Sequence, residues 1–295
     1  MNVNTDSTPM RSGRNASRAA IRWSNIWAIA RKDWIEVSKN TSAWMPMLIV
    51  PLLFVLVIPG LVLGFSHVPD AAEVLYADPD LAVFLNNLPP VMQRYTQGLD
   101  FAATGMVIFL GFFFAPFFLI MPIMFSSVIA ADSFAGEMER KTLEALLYTP
   151  LTDAELFLGK VVAAGLPALV YTWASFLVYT LVVNVFGYSL IGRIWFPLPT
   201  WYPLIFWITP AIALLGIAAT VLISVKVKTF MGAYQSGGSL VLIVVALMVG
   251  QITGVLYLSV TVGLVLGLVF WVAAAVLMAL AIRAFNRRTI LVAAN

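Results

Sequence analysis

Residues 236–282 contain no Asp, Glu, Lys or Arg. About 20 apolar residues cross the roughly 30 Å hydrocarbon core of a bilayer, so this run is too long for one membrane helix and long enough for two. We therefore predict a hairpin of two spans that turns near Tyr257, Leu258 and Ser259. With four further charge-free apolar stretches, the predicted spans are 44–65, 104–130, 161–186, 203–225, 236–257 and 260–282.

The composition supports a membrane protein. Hydrophobic residues make up 61% of the chain and charged residues 11%, against about 25% charged residues in soluble domains. A soluble fold of this composition would expose large apolar patches. The chain has no cysteine and one histidine, which excludes disulfides and sites built on thiolates or several histidines. We expect the lipid bilayer, and not nucleic acid, as its surroundings.

The basic residues predict the orientation. With six spans, every Lys and Arg except Arg94 and Arg193 falls on the side that holds both termini. Loops rich in Lys and Arg stay in the cytoplasm. The predicted fold class is thus an all-α integral membrane protein with six transmembrane helices and both termini cytoplasmic.

The segments outside the spans have distinct characters. We expect residues 1–22 to be a disordered basic tail and residues 289–295 a cytoplasmic tail, on either side of a transmembrane domain at 41–288. Residues 23–40 place Trp23, Trp27 and Trp34 at helical spacing, which predicts an amphipathic helix on the inner leaflet. The external loop 66–103 is expected to hold a short helix that begins at Asp78.

A dense charged segment, GEMERKTLEALLYTP at residues 136–150, joins the second and third predicted spans. Its i,i+4 pairs Glu137–Lys141 and Arg140–Glu144 favour helix. We expect the second span to continue to about Arg140, then a short helix at about 141–148 that ends before Pro150. Thr152 and Glu155 have the spacing of a capping box at the start of the third span. Residues 131–157, here named the elbow, would suit a cytoplasmic partner protein; a well-made loop without a partner is the alternative.

Several kinds of chemistry are absent from the sequence. No charged residue lies inside a predicted span, although ion-coupled carriers usually need one there. The pair Gly159-Lys160 lacks the rest of a phosphate-binding loop. Glu137 and Glu139 could bind a metal or act in catalysis, but their neighbours Arg140 and Lys141 favour surface ion pairs. A stand-alone secondary carrier or channel, and an intramembrane enzyme, therefore lack the residues they need.

The remaining candidates for function lie inside or near the spans. The run FFFAPFF at 112–118 would pack against helices or lipid, or would line a cavity for an apolar cargo. Asn184 and Gln251, near the outer ends of their spans, would bond neighbouring helices or contact a ligand. The candidate cavity-lining residues are Phe113, Phe114, Phe117, Phe118, Asn184 and Gln251.

The elbow resembles the segment between the second and third spans of type-2 ATP-binding-cassette (ABC) permeases. The family's pattern runs roughly E-x-E-[RK]-x-T-L-E-x-L-L-x-x-P, followed by a Gly-Lys pair. Residues 30–59 also resemble the family's entry helix and first span, with Asp33 where the family usually has Glu. Residues 227–242 resemble its link between the fourth and fifth spans. The elbow residues that match the pattern are Glu137, Glu139, Arg140, Thr142, Leu143, Glu144, Leu146, Leu147 and Pro150.

The resemblance implies a mechanism. Two copies, or this chain and a homologous permease, would form a dimer in a prokaryotic cytoplasmic membrane. Each would dock on a separate ABC ATPase through the elbow, whose matching residues would form the coupling helix. This chain would hold no cofactor, and ATP and Mg would bind the ATPase. The complex would export a hydrophobic or amphipathic cargo. A membrane scaffold or receptor that docks a cytoplasmic partner without transport is the alternative function.

Overall fold

The computed structural model describes residues 21–65, 68, 79, 83, 87–142, 149–227 and 229–285. Every regular element in these residues is helical. Six helices are long and apolar enough to cross a membrane, which confirms the predicted number of spans. We number them spans 1 to 6: Met47–Phe65, Phe101–Glu139, Asp153–Ile191, Pro203–Ser224, Phe230–Ile252 and Val260–Ala284.

Helix α1, Trp23–Lys39, precedes span 1. Its buried residues recur at helical spacing and form one face: Ile26, Ile29, Ala30, Asp33 and Val37. That face packs on span 3, while Trp23 and Trp27 remain exposed. Asp33 is the only charged residue of the buried face. A fully buried carboxylate needs a partner of opposite charge, so α1 must pack against basic residues.

Spans 2 and 4 form the centre of the bundle. Both are mostly buried, whereas spans 1, 5 and 6 bury only a minority of their residues. Spans 4 and 6 approach closely at Gly267, where an added β-carbon would lie 2.1 Å from Cδ1 of Trp207. The indole N–H of Trp271 donates to the carbonyl of Trp207 at 3.1 Å. A glycine thus admits a large ring between the two helices, in keeping with the small residues that favour helix contacts in membranes.

Span 3 begins at the predicted capping box, which is confirmed. The Thr152 Oγ1 accepts from the amide of Glu155 at 3.1 Å, and the Glu155 Oε2 accepts from the amide of Thr152 at 2.9 Å. The helix ends where Gly192 takes the left-handed conformation, with φ 71°. Its 39 residues would extend roughly 58 Å, which is longer than a hydrocarbon core. Both ends of span 3 therefore project beyond the membrane interior.

The break between spans 5 and 6 extends over 253–259, so it begins earlier than the predicted turn and includes Tyr257, Leu258 and Ser259. Span 5 ends at Ile252, and Gly254 adopts φ 74°. The amide of Leu256 then turns back to the carbonyl of Gly250 at 2.9 Å. Span 6 restarts after Ser259, whose side chain accepts from the amide of Val262. Residues 253–257 carry no charge, so the prediction included them in the span 236–257. The helix in fact ends at Ile252, because Gly254 takes the left-handed conformation.

Span 2 changes its helical form at the aromatic run. A π-helix at Phe109–Phe113 is followed by a 3-10 helix at Ala115–Leu119, where Pro116 cannot donate an amide hydrogen bond. Side chains from elsewhere bind three carbonyls of this segment. The Tyr179 hydroxyl donates to Leu110 O at 2.8 Å, the Trp201 indole to Gly111 O at 2.7 Å, and the Gln251 amide to Phe112 O at 3.5 Å. The irregular segment is thus held by three other parts of the chain, as buried backbone in a membrane requires.

Both ends of the described chain meet at the end of the bundle that carries the elbow. The amide of Arg22 donates to Glu155, and the ring of Phe285 lies 5.2 Å from that of Phe134. An even number of spans accounts for this placement. The predicted tails at 1–22 and 289–295, and the predicted loop helix that begins at Asp78, lie largely or wholly outside the described residues.

Candidate functional site

Span 2 runs into the elbow and stops at a defined turn. The helix ends at Glu139, close to the predicted end at Arg140, and Lys141 takes a left-handed conformation with φ 57°. The amide of Thr142 donates to Glu137 O at 2.9 Å, and that of Lys141 donates to Met138 O at 3.1 Å. This pair of bonds is the Schellman motif. The predicted short helix at 141–148 falls mostly outside the described residues.

The side chain of Glu137 is buried, with 0% exposure. Its Oε2 accepts from Lys160 Nζ at 2.6 Å, and its Oε1 accepts from Lys32 Nζ. The predicted surface pair of Glu137 with Lys141 is therefore wrong, because Lys141 has already left the helix. Glu137 instead joins span 2 to span 3 and to α1.

More charges surround this central carboxylate. Lys32 also contacts Asp33 and Glu36, both at 3.1 Å, and Lys160 contacts Asp33 at 3.5 Å. Arg140 reaches Glu36 at 2.7 Å and Asp132 at 3.1 Å. We name these connected residues the ion network: Lys32, Asp33, Glu36, Asp132, Glu137, Arg140 and Lys160. Because each buried carboxylate has a basic partner, the network meets the condition for keeping charges in an apolar protein.

Three carboxylates of the ion network share the ammonium group of Lys32. Carboxylate oxygens of Asp33, Glu36 and Glu137 lie within 4.8 Å of one another, which would suit a hard cation. The Lys32 Nζ contacts all three carboxylates. Burial opposes the charged form of this lysine, but Asp33 and Glu137 outweigh it and raise the pKa of Lys32 above its ordinary value. The lysine therefore supplies the positive charge that these carboxylates require.

A model of the family described as ABC-2 family transporter protein matches residues 27–265, which include α1 from Trp27, the elbow and spans 1 to 5. The chain belongs to the ABC-2 transporter family. No curated protein matches the chain. The chain is therefore a multi-pass membrane component of a transporter.

Helix α1 of this ABC-2 protein is fixed to the start of span 3 by packing and hydrogen bonds. A β-carbon at Gly159 would lie 2.7 Å from Cβ of Ile29, so only glycine allows this approach. The Glu155 Oε1 accepts from the amide of Arg22 at 2.9 Å and from the Asn25 side chain at 3.0 Å. The Trp34 indole donates to the carbonyl of Ala163 at 2.8 Å. The Gly-Lys pair of the family pattern thus has two roles, because Gly159 admits α1 and Lys160 binds its charges.

Glu139 links the elbow to span 5. Its Oε2 accepts from the amide of Phe230 at 2.8 Å, at the first residue of that helix. A carboxylate is favourable there because the first amides of a helix lack partners within it and carry positive partial charge. Unlike Glu137, Glu139 is exposed. Besides this solvent-exposed bond, the elbow contacts span 5 by apolar packing, in which Ala131 and Ala135 cluster with Ala233 beside Met138, Phe230 and Tyr234.

The predicted coupling residues fall into two groups. Leu143, Glu144, Leu146 and Leu147 lie outside the described residues, so the predicted Arg140–Glu144 pair does too. Glu137 and Arg140 belong to the ion network, Glu139 binds span 5, Thr142 closes the Schellman turn, and Pro150 is exposed before span 3. Their coupling to an ATPase stays a prediction. The buried side chain of Glu137 offers no surface to a partner.

The predicted cavity residues are placed mostly in the core. Phe114 and Phe118 are 1% and 0% exposed, and both pack on Tyr179. Phe113 and Phe117 are half-buried; the ring of Phe117 lies 5.3 Å from that of Phe54 in span 1. Of the two interpretations of this run, the structure shows packing for Phe114 and Phe118.

The two polar candidates differ from each other. Asn184 donates to the carbonyls of Thr180 and Phe196 and accepts from the amides of Trp195 and Phe196. Its amide therefore holds the loop after span 3. Gln251 is fully buried, and its Oε1 lacks a hydrogen-bond partner among the described residues. The Nε2 of Gln251 donates to Phe112 O in span 2, so this side chain makes the predicted bond between helices.

Sequence reasoning missed five members of the ion network as site residues: Lys32, Asp33, Glu36, Asp132 and Lys160. Lys160 entered the sequence analysis as a basic residue outside the spans and as part of the Gly-Lys pair, without a binding role, yet it is 0% exposed. One signal was available: Lys160 follows a capping box in a helix that is otherwise apolar, so it had to find a carboxylate on another helix. The sequence alone does not show which carboxylate.

Proposed function

We propose that this chain is the permease subunit of an ABC exporter, driven by a separate ATPase that docks on the elbow. Membership of the ABC-2 family supports association with an ABC ATPase and a membrane. The sequence offers no phosphate-binding loop of its own, so the energy comes from the partner. Glu137, Glu139, Arg140, Thr142 and Pro150 shape the base of the docking segment. Leu143, Glu144, Leu146 and Leu147 form the contact surface itself.

The observation that carries this proposal is the way the elbow is anchored. When a partner protein displaces the elbow, the spans move with it only if the elbow is rigidly attached to them. Span 2 and span 3 are joined beneath the elbow by the buried contact between Glu137 and Lys160 at 2.6 Å. Separating such a pair leaves an uncompensated charge in an apolar surrounding, at a cost of about 3–5 kcal/mol. A partner that moves the elbow therefore moves both spans.

The elbow faces the cytoplasm in this proposal. Of the basic residues that the structure describes, all but Arg94 and Arg193 lie at the elbow end of the bundle, as the distribution of Lys and Arg in membrane proteins favours. Helix α1 then lies at the inner leaflet with Trp23 and Trp27 exposed toward the headgroups. The membrane is the cytoplasmic membrane of a prokaryote.

The transport pathway forms between two permeases. Spans 1, 5 and 6 leave apolar residues exposed, among them Leu52, Leu242 and Ile252. Lipid covers part of this surface, and a second copy or a homologous permease covers the rest. The rings of Phe113 and Phe117 are half-buried, and that of Phe117 lies beside Phe54 of span 1. Such apolar rings suit a hydrophobic or amphipathic cargo. The direction is export, toward the end that carries Arg193.

The test is co-purification with an ABC ATPase encoded beside this chain. Leu147→Asp places a charge on the proposed contact surface. Glu144→Ala removes an acidic side chain that agrees with the family pattern. Both variants are expected to lose ATPase binding, while Arg193→Ala, an exposed change at the opposite end, keeps it. Unchanged binding by both elbow variants would refute the docking assignment. ATPase binding without nucleotide-dependent flux of apolar cargo in proteoliposomes would favour the scaffold function.

A further inference from the structure

Three separate parts of the chain meet at one carboxylate. Glu137 belongs to the end of span 2, Lys160 to the first turns of span 3, and Lys32 to α1. Each oxygen of the carboxylate has its own lysine: Oε2 binds Lys160, and Oε1 binds Lys32. The family pattern covers the elbow and the Gly-Lys pair, but it does not say what α1 contributes. The geometry makes α1 the third member of the unit.

Lys160 uses its whole donor capacity inside this unit. Its Nζ contacts Glu137 Oε2 at 2.6 Å, the carbonyl of Ser133 at 2.6 Å and Asp33 Oδ2 at 3.5 Å. The ammonium also lies 5.5 Å from the centre of the Phe134 ring, a cation–π distance. An ammonium has three protons to donate, and here each has an acceptor, two on span 2 and one on α1.

The contacts within the unit differ in kind from its contact with span 5. The pair of Glu137 and Lys160 is buried, so its separation leaves charges without water or partner. The bond from Phe230 to Glu139 is exposed, so water replaces either group when it breaks. A displacement of the elbow therefore breaks the exposed bond more easily than the buried pair. The rest of the contact with span 5 is the apolar packing of Ala131 and Ala135 on Ala233, and no ion pair crosses it among the described residues. A sliding movement at this contact therefore leaves no buried charge unpaired, whereas separation of Glu137 from Lys160 does.

We infer that Lys160 is a positioning residue that joins the elbow, α1 and the start of span 3 into one rigid body. This body moves as a whole against spans 4 and 5 when the partner moves the elbow. Helix α1 is then a moving part of the transporter and not a passive membrane anchor. The inference rests on the proposed function, because the motion is driven by the ATPase.

The absence of native cysteine allows direct distance measurements by paired spin labels. Ala28→Cys with Ala154→Cys reports on α1 against span 3, and Ala154→Cys with Lys226→Cys reports on span 3 against the end of span 4. All three positions are exposed. The complex with its ABC ATPase is measured in lipid nanodiscs with no nucleotide and with a non-hydrolysable ATP analogue. The analogue is expected to shift the second distance and to leave the first unchanged.

Variants of Lys160 then test its role in the rigid body. Lys160→Met is expected to broaden the distance between Ala28 and Ala154 and to lower permease-stimulated ATP hydrolysis by about fivefold or more, as for a lost coupling of at least 1 kcal/mol. Lys160→Arg keeps the charge, so it is expected to broaden the distance less and to lower ATP hydrolysis less than Lys160→Met does. Arg31→Met is the control, since Arg31 is an exposed basic residue of α1, which belongs to the same proposed rigid body. It is expected to behave as the unaltered protein.

The outcomes separate the two proposals. If the analogue shifts the Ala28–Ala154 distance as much as the Ala154–Lys226 distance, the rigid body is refuted while the ATPase-driven motion stands. If Lys160→Met leaves distances and ATP hydrolysis unchanged, the positioning role is refuted. If no ATPase binds, or neither distance responds to nucleotide, the proposed function itself fails. If Lys160→Met does not fold, Lys160→Arg alone decides: near-normal coupling supports the role, and lost coupling with a retained fold overturns it.

Discussion

The Nζ of Lys160 lies 2.6 Å from Oε2 of Glu137, and both side chains are fully buried although their residues are 23 apart in sequence. This contact ties span 3 to span 2 below the elbow. Because both charges are shielded from water, the loss of one partner costs more than the loss of both.

A double-mutant cycle measures this interaction. We expect Lys160→Met and Glu137→Gln each to lower the free energy of unfolding by at most about 3–5 kcal/mol. Each removes one of two charged partners of a buried group, so Glu137 keeps only Lys32 and Lys160 keeps only Asp33. The double variant is expected to lose less than the sum of the two. Thermal unfolding in detergent gives the comparison, with the exposed change Lys39→Met as control. Additive losses would show that the two residues do not interact.

Gly159 sets the distance between α1 and span 3. In Gly159→Ala the new β-carbon would lie 2.7 Å from Cβ and 2.8 Å from Cγ2 of Ile29, so α1 must shift, at a cost of about 1–3 kcal/mol. We expect a lower unfolding temperature, and Ile29→Ala should not restore it in the double variant, because alanine keeps the β-carbon that lies at 2.7 Å. Gly165→Ala is the matched control in the same helix, because its β-carbon would meet only Ile217 at an ordinary 3.5 Å. Equal effects of the two glycine changes would contradict the packing argument.

Lys141 adopts the left-handed conformation with φ 57°, which costs a side-chain-bearing residue about 1–2 kcal/mol. Lys141→Gly relieves this cost, so we expect a higher unfolding temperature with the Schellman turn unchanged. Lys141→Val should lower that temperature, since a β-branched residue tolerates positive φ poorly. A stabilising effect of valine would show that the turn does not adopt this conformation in the membrane.

Local patterns predicted the spans, and tertiary contacts decided the site. Charge-free runs and the placement of basic residues are properties of short segments, so six spans could be predicted from them. The capping box of Thr152 and Glu155 is equally local. The partners of Glu137 are not: sequence spacing offered Lys141, whereas Lys160 and Lys32 reach it only because span 3 and α1 pack against span 2. A single sequence shows which residues need a partner, but not which helices meet.

The aromatic run at 112–118 gives a second case, inside a span, in which the sequence does not show what a side chain will contact. Its composition allowed a lipid-facing surface, a cavity wall or a packed core. Phe114 and Phe118 enter the core because the helix changes form at Phe109–Phe113, which turns their rings toward Tyr179. No sequence pattern in the run specifies a π-helix. Its position follows from the side chains that bind the carbonyls of Leu110 and Gly111.

Tyr179→Phe tests whether these bonds hold the irregular part of span 2. The change removes only the hydroxyl, which donates to Leu110 O at 2.8 Å, and leaves that carbonyl without its donor inside the core. We expect a loss of about 0.6–1.7 kcal/mol, the range for hydrogen bonds between membrane helices. Faster hydrogen exchange at the amides of residues 109–119 should accompany it. Tyr188→Phe, at an exposed tyrosine of the same helix, is the control, and it should change neither quantity. If exchange at residues 109–119 is the same in both variants, the π-helix is stable without the tyrosine bond, and the packing of Phe114 and Phe118 alone holds it.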